Sequence, residues 1–154
     1  MSEWTLARAL KLALTKEEES VRIYTSAQEK VLNPSSIGFL KKLVEEEKKH
    51  RSKILEAIRD VEKVGDIGSF ETKITDLKIV DYLEDVSLSP EADYQQILIY
   101  AGKREKATHD FYMELARRYK GEEIGTMFAK LAQEELKHKY MLEREYDDVI
   151  LKYM

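Results

Sequence analysis

Two glutamate–histidine pairs are the residues of this chain best suited to chemistry: Glu47 with His50, and Glu135 with His138. A spacing of three places both members of a pair on one helix face. Glutamate is about one residue in seven here, so a single pair carries little information. The chain has only three histidines, however, and two of them fall in these pairs. An offset of 88 residues carries one pair onto the other, and also carries Glu17 onto Glu105 and Tyr24 onto Tyr112. Leu43 and Leu131, Glu46 and Glu134, and Lys49 and Lys137 obey the same offset. A helical hairpin used twice is expected, with a pseudo-two-fold axis between the copies. Four glutamates meeting in a core would repel strongly unless positive charge lay between them. Two divalent cations would make the set neutral. Four carboxylates and two imidazoles suit iron or manganese, with two carboxylates bridging, two terminal and one histidine per ion. Such an arrangement leaves positions open for dioxygen or peroxide.

The elements that would position these residues are helices. Leu6, Leu10, Ala13, Glu17, Ser20, Tyr24, Ala27 and Val31 follow a 4,3 spacing, as do Leu40, Leu43, Glu47, His50, Ile54, Ala57 and Val61. A third seam runs Tyr94, Leu98, Ala101, Glu105, Thr108, Tyr112, Leu115, Tyr119. The fourth runs Ile124, Phe128, Leu131, Glu135, His138, Leu142 and drifts towards Val149. Each seam is apolar except near its middle. The pattern predicts helices near 3–32, 36–62, 90–120 and 122–153, in one all-α domain spanning 1–154. Asn33-Pro34-Ser35-Ser36 and Lys120-Gly121 mark short links, and Ser89-Pro90-Glu91 marks a helix start. The connection over 63–89 is long enough to run back along the bundle as a crossover, and Ile74 to Val86 has the makings of a short extra helix. The expected fold is an antiparallel four-helix bundle.

Composition narrows the alternatives. The 154 residues are 43% hydrophobic and 36% charged, with six Gly and two Pro, which excludes disordered and collagen-like chains. With no cysteine there is no disulfide, thiolate or iron–sulfur chemistry. No segment has the apolar length of a membrane span and no cleavage signal follows the first turns, so a cytoplasmic protein is expected. A net charge of −4 gives no reason to expect nucleic-acid or membrane binding. Scarce Asn and abundant Glu and Lys lean towards a heat-adapted source. The basic clusters Lys48 to Lys53 and Lys103 to Lys106 are read as solvated faces. Glu18, Glu19, Glu45, Glu46 and Glu134 are read as ordinary solvated charges, His109 as a boundary histidine and Trp4 as a packing residue.

The spacing of Glu17 to Tyr24 with Glu47-Lys48-Lys49-His50, repeated as Glu105 to Tyr112 with Glu135-Leu136-Lys137-His138, resembles rubrerythrin-like proteins of the ferritin-like superfamily. The resemblance spans nearly the whole chain. It implies a ferritin-like bundle in which Glu17, Glu47, Glu105 and Glu135 ligate two irons, with His50 on one and His138 on the other. Tyr24 and Tyr112 would then be hydroxyls bonded to ligand carboxylates. It also implies an oxidoreductase that reduces peroxide or dioxygen, and a homodimer. Two departures follow. Full-length rubrerythrins carry a rubredoxin domain with Cys-x-x-Cys motifs, and without cysteine this chain would take electrons from a separate donor such as a rubredoxin. Many rubrerythrins place an extra carboxylate one turn after the helix-three ligand, where this chain has Thr108, mirrored by Ser20.

Two other functions compete. One is ferroxidase activity for iron storage or detoxification, in the manner of bacterioferritin, although the short fifth helix of many cage-forming ferritins is not expected. The other is a non-enzymatic bundle stabilised by metal such as zinc. Setting the four proposed ligand glutamates aside leaves acidic and basic residues equal, 26 each. The net charge is then an acidic interior rather than an acidic surface.

Overall fold

A computed structural model describes residues 5–63 and 88–153. Four helices carry these residues: α1 (Leu6–Ala27), α2 (Pro34–Lys63), α3 (Tyr94–Arg118) and α4 (Glu123–Glu145). No strand occurs among the described residues. A 3-10 turn over Gln28–Lys30 extends α1, and a π turn over Tyr146–Ile150 with a 3-10 turn over Leu151–Tyr153 extends α4. The chain is an all-α four-helix bundle. No described helix is long and apolar enough to cross a membrane.

Helix boundaries follow local chemistry more closely than the apolar pattern did. Thr5 caps α1 by accepting from the Arg8 amide at 3.2 Å. Helix α2 starts two residues earlier than expected, because Pro34 fits the first helical position and Asn33 Oδ1 accepts from the Ser35 amide at 2.9 Å. Helix α3 starts later than Ser89-Pro90 suggested. Asp93 and Gln96 form a reciprocal capping box, at 2.8 and 2.9 Å, that defines Tyr94 as its first residue. Gly121, at φ 91°, makes the left-handed turn between α3 and α4. A Cβ on Gly125 would stand 2.1 Å from the Tyr119 carbonyl oxygen, so α4 can begin against the end of α3 only with glycine there.

Helix α1 packs along α2, and α3 along α4, while lesser contacts join α1 to α3 and α2 to α4. Two apolar clusters close the ends. Leu6, Leu10, Ile54, Phe111, Leu115, Phe128 and Leu131 share one; Tyr24, Leu40, Leu43, Tyr94, Leu98 and Leu142 share the other. Full burial of each such side chain contributes about 1.5–3 kcal/mol. The clusters also set direction: α1 and α4 run one way, α2 and α3 the other. Helix α2 therefore ends where α4 begins, and α3 starts at the opposite end. The bundle requires a crossover between α2 and α3. The connection itself, the extra helix expected over Ile74 to Val86, and Trp4 lie outside the described residues.

Candidate metal centre

The polar middles of the four seams meet between the two apolar clusters. Glu17 comes from α1, Glu47 and His50 from α2, Glu105 from α3, and Glu135 and His138 from α4; none is more than 2% exposed. They form two overlapping groups, Glu17–Glu47–His50–Glu135 and Glu47–Glu105–Glu135–His138. Within each group, one donor atom per residue lies within 4.8 Å of all the others. Glu47 and Glu135 belong to both.

Both imidazoles turn Nδ1 inward. His50 Nδ1 is 2.7 Å from Glu135, 3.4 Å from Glu47 and 3.6 Å from Glu17. His138 Nδ1 is 2.9 Å from Glu47 and 3.8 Å from Glu105. The rings stack nearly parallel, 5.5 Å apart and inclined by 16°. Behind the carboxylates, Tyr24 OH donates to Glu105 Oε1 at 2.5 Å and Tyr112 OH to Glu17 Oε1 at 2.7 Å. Each tyrosine thus serves the glutamate of the other hairpin, as a pseudo-two-fold axis demands.

Close approach does not satisfy these atoms. Glu17 Oε2, both Glu47 oxygens, Glu105 Oε2, Glu135 Oε1 and both Nδ1 atoms are buried without a hydrogen-bond partner. An orphaned buried polar atom costs about 1–3 kcal/mol, and seven of them converge on one space. Their oxygen and imidazole character suits iron, manganese or zinc, so the residues fit two divalent cations sharing Glu47 and Glu135.

The acid–base state of the cluster follows the same crowding. Burial, then the charges of Glu17 and Glu105, push the Glu47 carboxyl well above the carboxylate range. Burial and the charges of Glu105, Glu17 and Glu47 do the same to Glu135. Burial would raise the pKa of Glu17, but the close approach of His50 and Glu47 and the hydrogen bond from Tyr112 outweigh it, and the pKa falls. Burial would lower the pKa of His50, but Glu17 and Glu134 raise it. Burial and neighbouring carboxylates keep both tyrosines protonated far above their ordinary range.

Four residues read from sequence as solvated are paired. His138 Nε2 donates to Glu46 at 2.8 Å, and His50 Nε2 donates to Glu134. Glu19 meets the Arg104 guanidinium at 3.1 Å, and Arg104, within the supposedly solvated cluster Lys103 to Lys106, is buried between α1 and α3. The signal for Glu46 and Glu134 was present, since both obey the 88-residue offset. Periodicity alone hides them, because they lie one step off the seam. His109 stays outside the centre, 3.0 Å from Asp110. Thr108 turns its hydroxyl to the Arg104 carbonyl at 2.9 Å.

The rubrerythrin family profile matches residues 8–97 and 96–153. The chain belongs to the rubrerythrin family. No curated protein and no solved structure matches it.

Proposed function

From membership of that family and the chemistry of the buried cluster, we propose that the protein is a di-iron carboxylate oxidoreductase that reduces peroxide or dioxygen. The observation that carries this reading is the pair of overlapping donor groups sharing Glu47 and Glu135. Glu17 and His50 would complete one ion's set, and Glu105 and His138 the other's. When bound, the irons would supply the redox electrons, two per turnover across the pair. The chain's part is to hold the donors and exclude water. The phenols of Tyr24 and Tyr112 orient the two unshared carboxylates and stay protonated. The apolar clusters cover the cluster at both ends. In this reading electrons come from a separate donor protein, and the functional unit is a homodimer.

Anaerobic iron loading followed by metal analysis should return two irons per chain. Stopped-flow oxidation of the reduced protein should then be faster with peroxide than with air. Equal rates would remove the peroxidase assignment. The position of Thr108 favours a second reading as ferroxidase, because it provides no extra carboxylate for a redox-linked change of ligand. Slow oxidation by air with retention of ferric iron in a very large assembly on gel filtration would establish that alternative.

A further inference from the structure

Glu46 and Glu134 immediately precede the shared carboxylates, yet each reaches the opposite hairpin. Glu46 on α2 accepts from His138 on α4, and Glu134 on α4 accepts from His50 on α2. The two contacts interchange under the 88-residue offset, so a single device is used twice. Both carboxylates remain partly open to solvent, at 27% and 45% side-chain exposure. They line a cavity of about 150 Å³ between α2 and α4 that Lys49, Lys53 and Lys137 also border.

We propose that Glu46 and Glu134 are positioning residues for the metal pair, each fixing the histidine of the other hairpin. This rests on the di-metal reading of the cluster. An imidazole has two nitrogens, and the hydrogen bond made by one decides which remains free as a donor to metal. A carboxylate at Nε2 holds the proton there, sets the plane of the ring and directs Nδ1 at the shared glutamates. Because the clasp crosses between α2 and α4, it also fixes how far apart the two hairpins hold their histidines. Loss of Glu46 should therefore loosen His138 on α4 rather than His50, its neighbour on α2. A solvated charge would show no such crossing.

The test uses the full chain with Glu46→Ala, Glu134→Ala and the double variant, and the exposed Glu45→Ala as control. Chelator competition would measure Zn²⁺ and Mn²⁺ affinity, and ¹⁵N-edited NMR of the metal-free protein would read each histidine ring. Each single variant should weaken binding about 10–100-fold, chiefly at one of the two metal positions, and the double variant should weaken both. Glu46→Ala should move the His138 ring signals and Glu134→Ala those of His50, while Glu45→Ala moves neither. Glu46→Gln and Glu134→Gln, which keep an acceptor oxygen, should restore part of the affinity and stand in for any alanine variant that fails to fold. Unchanged affinity in the double variant, or a shift confined to the histidine of the same hairpin, would overturn the proposal. Failure of the unaltered chain to bind either metal is a different result, which overturns the di-metal reading and this proposal with it.

Discussion

Glu47 has no exposed surface and no hydrogen-bond partner for either oxygen, so without a cation it is easier to keep protonated than ionised. Glu135, 1% exposed, has Oε1 unpartnered. Both have pKa values raised well above the carboxylate range, so the folded metal-free chain holds more protons than the unfolded chain. Its stability should accordingly be highest in mild acid and fall as pH rises above about 5. His50, whose pKa is raised, adds to that fall at higher pH; Glu17, whose pKa is lowered from 4.5, acts only in stronger acid, where its stabilising contribution is lost as it is protonated. Urea midpoints of the metal-free protein should decline towards neutrality. In the variant combining Glu47→Gln and Glu135→Gln the decline should flatten, with a gain on the order of 1–3 kcal/mol at pH 7 and loss of metal uptake. Retained metal uptake in that variant would remove these glutamates as ligands. Tyr24→Phe takes a donor from Glu105 and should cost ~1–3 kcal/mol in thermal melts.

Among the elements, the seams were legible because a 4,3 repeat translates directly into one buried stripe. Leu40, Leu43, Glu47, His50, Ile54, Ala57 and Val61 are all buried on α2, as their spacing requires. Helix ends were less legible. The Asp93–Gln96 box lies three residues beyond Pro90, and both positions offer a plausible start; the hydrogen bonds decide between them. The junction of α3 and α4 depends on a contact that no local pattern reports. Gly125→Ala would press a methyl group against the Tyr119 carbonyl, and a loss of about 1–3 kcal/mol is expected in thermal unfolding. An unchanged melting curve would show that the junction opens freely.

For the whole molecule, the 88-residue offset becomes a physical symmetry: Tyr24–Glu105 mirrors Tyr112–Glu17, and His50–Glu134 mirrors His138–Glu46. Two hairpins whose unpartnered donor atoms converge on one space should be tied together by bound cations. Divalent metal at about 100 times its dissociation constant should stabilise the fold by ~2.7 kcal/mol per site, and a chelator should reverse the rise in melting temperature. That the seam residues face inward, and do so twice, can be read along the chain, because helical periodicity and a constant offset are one-dimensional properties. Tertiary structure alone decided who meets across the hairpins. Glu46, Glu134 and the Arg104–Glu19 pair lie off the seams. Their partners depend on the rotation and separation of neighbouring helices, which spacing along a single chain does not encode.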